Sequence, residues 1–165
     1  MTRAFLSLGS NLDDRLGYLR AASAALGRGP RTRLVATSKV YETAPVEVEE
    51  EQPYYLNCAV ELACGLPATE LLRYCQGIEA ALGRERKGEK APRTLDVDLL
   101  LFGNETIVEP DLTLPHPGVA RGFNLQALAD LDAGLYIPGR GTVGALLERA
   151  GGGGIWTFGE TEELC

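Results

Sequence analysis

The strongest constraint in the chain is the run Ala91-Pro92-Arg93-Thr94-Leu95-Asp96-Val97-Asp98-Leu99-Leu100-Leu101-Phe102, an apolar strand interrupted by two carboxylates. Successive strand residues point to opposite faces, and residues i and i+2 share one face roughly 6.6 Å apart. Asp96, Asp98 and Leu100 therefore lie together, while Leu95, Val97, Leu99 and Leu101 form the stripe that packs into a core. Two anions in such a place are costly unless paired or hydrogen-bonded. A hard divalent cation such as Mg²⁺ fits, because it takes carboxylate oxygens, and metal pairs about 3.5–4 Å apart suit closely spaced carboxylates. Arginines or backbone amides could satisfy the pair equally well, and the strand alone leaves both solutions open.

Composition narrows the class. A chain of 165 residues is expected to form one domain and to bury about two-thirds of its unfolded surface. With 45% hydrophobic and 24% charged residues and no long apolar run, no membrane partner is expected. Residues 1–9 read as a first strand rather than a signal peptide, so a cytoplasmic location is expected. The formal net charge of −7 argues against a nucleic-acid partner. Within that acidic chain, Arg84, Arg86, Lys87, Lys90 and Arg93 form a basic stretch that runs directly into the Asp pair. The juxtaposition suggests a small polyanion held together with metal. Cys58, Cys64, Cys75 and Cys165 show no Cys-x-x-Cys spacing and His116 is the single histidine, so no structural zinc site is expected. The first three cysteines fall at apolar positions and read as buried thiols.

Taken in order, residues 4–8 read as a strand, and Asn11 as the cap of a helix with Leu12, Leu16, Leu19, Ala22 and Leu26 inward and Gly27 at its left-handed end. Residues 34–41, rich in β-branched side chains, predict a second strand, and residues 42–53 a long acidic loop. Residues 55–64 alternate, with Leu56, Cys58, Val60 and Leu62 facing one way and Tyr55, Asn57, Ala59 and Glu61 the other. Pro67 opens a helix carrying Leu71, Leu72, Cys75, Ile78 and Leu82. Gly83 and Gly88 approach a phosphate-loop pattern, but Glu89 stands where lysine belongs and the segment leaves a helix rather than a strand, which excludes it. After the Asp strand come a turn at Gly103-Asn104, a helix over residues 123–131 with Leu125, Leu128 and Ala129 inward, and a flexible tail over 151–165.

The order β-α-β-β-α-β plus a short C-terminal appendix predicts an α+β, ferredoxin-like fold, an antiparallel sheet with two helices on one face. Its central strands would be the first and third. The open face would carry Tyr55 and Asn57 beside the Asp pair, covered by loops at residues 9–14, 45–52 and 84–92. A fold implies no activity by itself.

Four segments go further: Leu-Gly-Ser-Asn-Leu at 8–12; Tyr-Glu-Thr-Ala-Pro at 41–45 with Gln-Pro-Tyr-Tyr-Leu-Asn at 52–57; Gly-Arg-Glu-Arg at 83–86; and Pro-Arg-Thr-Leu-Asp-Val-Asp at 92–98 with Leu-Pro-His at 114–116 and Arg-Gly-Phe at 121–123. Over residues 3–138 the chain resembles the 6-hydroxymethyl-7,8-dihydropterin pyrophosphokinases of folate biosynthesis. The resemblance implies transfer of the β,γ-pyrophosphoryl group of ATP to the pterin hydroxymethyl oxygen, with release of AMP and with two Mg²⁺ ions. It implies metal binding by Asp96 and Asp98, and a catalytic role for these two together with Arg84 and Arg93. It implies ATP contacts from Gln76, Glu79, Arg86, Leu99, Thr113, His116 and Arg121. It implies pterin contacts from Thr43, Ala44, Pro45, Val46, Tyr55, Asn57 and Phe123. ATP and the pterin would be the only partners, with the protein a monomer. The sequence departs from the family pattern in three places: no tryptophan in residues 84–92, Asp111 where a basic residue can occur, and Pro117 after the histidine. A non-catalytic ligand-sensing domain of the same fold is the alternative.

Overall fold

The first strand, β1 (Thr2–Ser10), is the spine of a mixed-length antiparallel sheet. The computed structural model describes residues 1–12, 14–44, 54–82, 95–151 and 155–158. Among these, β1 is followed by α1 (Arg15–Gly27), β2 (Thr32–Thr37), β3 (Tyr41–Thr43), β4 (Tyr55–Cys64), α2 (Ala68–Leu82) and β5 (Asp96–Phe102). Then come the hairpin β6 (Ile107–Val108) and β7 (Thr113–Leu114), α3 (Gly122–Asp132), the hairpin β8 (Tyr136–Ile137) and β9 (Gly141–Thr142), α4 (Val143–Ala150) and β10 (Ile155–Thr157). The main sheet runs β10-β3-β4-β1-β5, with β2 paired to the far end of β4. The expected central strands, the first and the 55–64 strand, do lie side by side at its centre. This is the expected α+β, ferredoxin-like arrangement.

Alternation builds the first core. Ala4, Leu6 and Leu8 of β1, Leu56, Cys58, Val60 and Leu62 of β4, and Leu95, Val97 and Leu99 beside them meet Leu19, Ala22 and Leu26 of α1 and Leu71, Cys75 and Ile78 of α2. The three thiols are free and buried, as expected. Burial, reinforced by the negative charge of Glu79 and Asp98, pushes the Cys75 thiol up to about 12.

The structure corrects the sequence reading at several points. Helix α1 starts at Arg15, capped by Asp14, whose Oδ1 accepts from Gly17 N at 3.0 Å; Asn11 is buried before it. Gly27 ends α1 without a positive φ, and the left-handed residue is Arg31, with φ 51°. The single strand expected over 34–41 is two, β2 and β3, and β3 takes in Glu42 and Thr43 from the expected loop. Ser38 divides them: its N–H donates to Ala59 O, and its hydroxyl accepts from Ala59 N, both at 2.8 Å, so a side chain replaces one rung of the ladder. In β5 the register skips Leu100 against β1 (Leu6 opposite Leu99, Phe5 opposite Leu101), a β-bulge. Leu101 therefore leaves the expected stripe and joins Leu100 on the opposite face, while Phe102 turns into the first core. The stretch expected as a loose tail includes β10, whose Ile155–Thr157 pair with Thr43–Tyr41.

The face expected to be open is covered over half its length. Phe5, Tyr41, Ala59, Leu100 and Leu101 meet Val119, Leu125, Ala127 and Leu128 of the α3 region and Ile137 and Val143 beyond it, forming a second core. Polar ties from the sheet side fasten α3. Tyr41 Oη donates to Asp130 Oδ2 at 2.6 Å, and Arg3 reaches Glu61 Oε2 at 3.0 Å and Asp132 Oδ2 at 3.2 Å.

Burial, with the Asp130 carboxylate next, holds the Tyr41 phenol well above its usual range. A Tyr whose folded-state pKa is raised stabilises fully below its unfolded value of about 10 and loses that contribution as pH rises beyond it. Tyr41→Phe should cost about 1–2 kcal/mol at neutral pH in urea denaturation, and should flatten the decline of stability above about pH 10. An unchanged midpoint and an unchanged alkaline limb would show that this bond does not hold α3.

Candidate active site

What α3 leaves uncovered is the end of the sheet where its polar residues gather. Strand register places them in rows: Gly9 lies between Asn57 and Asp96, and Ser7 lies between Ala59 and Asp98. All of these face away from the first core, because each is one residue out of phase with an apolar partner. Thr43 and Ala44 from the end of β3, Tyr55, and His116, Arg121, Phe123 and Asn124 from the α3 side close a cavity of about 190 Å³ over that floor.

The floor is tightly fitted. Asn57, 6% exposed, donates from Nδ2 to Thr43 Oγ1 at 2.7 Å, which fixes the amide and leaves Oδ1 facing Gly9. A Cβ on Gly9 would stand 2.9 Å from that Oδ1, so only glycine lets the amide lie across β1.

Asp98 and His116 also line a second cavity of about 260 Å³, with Leu72, Val97, Leu99, Thr113 and residues 110–112 along its walls. The two cavities share a boundary made by these two side chains, whose His116 Nε2 and Asp98 Oδ1 are 4.0 Å apart. The imidazole is held from behind. His116 N donates to Leu100 O at 2.9 Å on the outer edge of β5, and Gly118 N donates to His116 Nδ1 at 2.9 Å. With Nδ1 accepting, a neutral ring carries its proton on Nε2, toward Asp98.

Among the described residues no three His, Cys, Asp or Glu side chains converge as a cation cage. Two carboxylates side by side at an open boundary instead suit a cation that completes its shell with water and with oxygens of a bound molecule.

Of the residues singled out from the sequence, Thr43, Ala44, Tyr55, Asn57, Asp96, Asp98, His116, Arg121 and Phe123 line the first cavity. Leu99 and Thr113 line the second. Gln76 borders a third cavity, with Arg73, Glu109 and Asp111, that meets the second at Leu72 and Leu112. Glu79 lines none of these. It is 5% exposed behind β5, where its Oε2 accepts from Val97 N at 2.9 Å. Pro45, Val46, Arg84, Arg86 and Arg93 lie outside the described residues. Sequence reasoning missed Ser7 and Asn124, and quoted Gly9 within a motif without assigning it a role. Ser7 could have been found from β1's alternation, since it is a hydroxyl in phase with Phe5 and Gly9. Asn124 gave no such signal.

Fold and site together define an α+β protein whose antiparallel sheet carries paired carboxylates on the floor of a polar pocket. A family model, 7,8-dihydro-6-hydroxymethylpterin-pyrophosphokinase (HPPK), matches residues 5–133. The chain belongs to that family. The 2-amino-4-hydroxy-6-hydroxymethyldihydropteridine pyrophosphokinase of Bacillus subtilis (strain 168) is 43% identical over 129 residues, which cover 78% of this chain and 77% of that protein. The enzyme of the same name from Pseudomonas aeruginosa is 41% identical over 137 residues, 82% and 84% of the two chains. Among solved structures, an HPPK-DHPS chain in complex with substrates superposes with a TM-score of 0.71 at 13% identity, over 90% of this chain and 43% of that one. Plasmodium falciparum HPPK-DHPS gives 0.68 at 17%, over 90% and 43%. The chain spans less than half of those two solved chains, and at such identities they show the fold alone.

Thr43→Val should leave the buried Asn57 amide without its acceptor and cost about 1–3 kcal/mol in urea denaturation. A loss below about 0.5 kcal/mol would mean that the amide is held by something else.

Proposed function

We propose that the two adjoining cavities are the two substrate sites of a pyrophosphoryl transfer, and that Asp98 and His116 stand where the substrates meet. The chain transfers pyrophosphate from ATP to the hydroxymethyl group of 6-hydroxymethyl-7,8-dihydropterin. The pterin oxygen bonds to the β-phosphorus, the bond from that phosphorus to the α,β-bridging oxygen breaks, AMP departs with that oxygen, and the hydroxyl proton is released. The observation that carries the assignment of sites is the shared boundary. One side is a small pocket with amide and aromatic walls, and the other is a groove walled by Leu72, Leu99, Thr113 and Asp111.

The first cavity suits a flat heterocycle. Asn57, fixed by Thr43, offers its Oδ1 as an acceptor for ring N–H groups. Tyr55 and Phe123 offer flat faces for stacking. Thr43, Ala44, Pro45 and Val46 would present backbone groups to the ring edge. In the second cavity Leu99 and Thr113 would face the nucleotide, with Gln76 of α2 beyond, while Glu79 supports β5 from behind.

Asp96 and Asp98 suit two Mg²⁺ ions, since hard carboxylate oxygens at an open boundary leave coordination places for triphosphate and water. When bound, the ions would neutralise the phosphates and lower the pKa of the attacking hydroxyl. His116 presents Nε2–H to the phosphate oxygens that lie against Asp98. Arg121, on the pocket wall, offers a planar fork to the same oxygens. Arg84, Arg86 and Arg93 would add charge from the basic stretch and spread it over the transferring group. Pre-placing both substrates across one boundary supplies orientation, the main work in phosphoryl transfer.

With ATP, Mg²⁺ and the hydroxymethyl pterin, AMP should form in step with pterin consumption, and EDTA should stop it reversibly. Asp96→Asn and Asp98→Asn should each lower turnover on the order of 100-fold while leaving the circular dichroism spectrum unchanged. Release of ADP, turnover without the pterin, or full activity in either variant would overturn the assignment.

A further inference from the structure

One buried side chain at the site is not used by the reaction as described above. Asn124, in the first turn of α3, is 5% exposed, yet it occupies a face where Leu125 and Leu128 serve packing. An amide buried among hydrophobes is costly unless its hydrogen bonds are made. Its Nδ2 donates to Gly118 O at 2.8 Å, and the same carbonyl accepts from Arg121 N at 3.1 Å. On the other side of the same residue, Gly118 N is the group that donates to His116 Nδ1.

Gly118 sits close to both side chains. A Cβ there would stand 3.2 Å from Arg121 Nε and 3.3 Å from both Arg121 Cζ and His116 Nδ1. The backbone thus passes between these two side chains, so close that a side chain at Gly118 would push Arg121 or His116 aside by a few tenths of an ångström. Glycine's torsions are soft, so the residue that makes the approach possible does not fix its own N–H and carbonyl directions. They need an outside tie.

We propose that Asn124 is a positioning residue for the transfer. By holding the Gly118 carbonyl, it keeps the Gly118 N–H on His116 Nδ1, which orients the ring and keeps its proton on Nε2, beside Asp98. This inference rests on the reading of His116 as a phosphate-facing donor. A helical first-turn asparagine that merely closes a turn would support the fold equally well, so the test must read the imidazole itself.

The chain has one histidine, so ¹⁵N imidazole resonances belong to His116 alone. In the native protein the neutral ring should show one Nε2–H tautomer with Nδ1 shifted as a hydrogen-bond acceptor. Asn124→Leu, close in volume but with no donor, should lose that acceptor shift and average the tautomers. It should also lower kcat/KM for ATP about tenfold. In a His116→Ala background the same replacement should cost less than about twofold, because the two act through one group. Unchanged imidazole resonances in Asn124→Leu overturn the positioning role, and an undiminished loss in the His116→Ala background assigns Asn124 a structural role only. A fully active His116→Ala protein overturns the reading beneath it instead. Should the leucine variant fail to fold, Asn124→Ser, whose hydroxyl is too short to span to Gly118, carries the same comparison.

Discussion

Two acidic side chains can stand two residues apart on a strand only if the strand's other face secures it. In β5 and the residue before it that face is Leu95, Val97 and Leu99, each almost fully buried in the core with α2 and β1. Burying three such side chains contributes several kcal/mol, which anchors the strand that carries Asp96 and Asp98. Glu79 adds to this from behind, since its buried carboxylate accepts the N–H of Val97, the residue between the two aspartates. The reactive face is exact because the opposite face is rigidly packed.

The second face of the sheet is divided between stability and chemistry. Toward one end, Phe5, Ala59, Leu100 and Leu101 give α3 its seat. Toward the other, Ser7, Gly9, Asn57, Asp96 and Asp98 give the pocket its floor. The bulge at Leu100 sits at the junction. It sends two consecutive leucines under α3, and the outward carbonyl of Leu100 receives His116 N. One irregularity in pairing thus serves both halves, anchoring the helix and hanging the histidine beside Asp98. The residues after 133, beyond the family match, supply α4 and β10, which back α3 and extend the sheet past β3.

Much of this was readable from residues. Alternation in 55–64 and 95–99 correctly separated core from site, because a period of two leaves little freedom once one face is buried. The strand pattern placed the Asp pair and Asn57 on one face, and they line one cavity; Phe123, which lines it too, entered only through the family resemblance. Three features were not legible. A bulge has no composition of its own, so Leu101 was placed on the wrong face. The covering of the second face depends on where α3 docks, which the sequence of α3 states only as an amphipathic pattern. Ser38 and Asn124 act through single side-chain-to-backbone bonds, and such bonds are set by tertiary approach rather than by local pattern.

The proposed placement of metal and nucleotide by Asp96 and Asp98 is tested most directly by anomalous scattering. Crystals grown with Mn²⁺ in place of Mg²⁺ and a non-hydrolysable ATP analogue should show anomalous peaks within coordination distance of both carboxylates, with phosphate oxygens completing each shell. Nucleotide bound with no peak beside Asp96 and Asp98, or peaks held only by other groups, would contradict it.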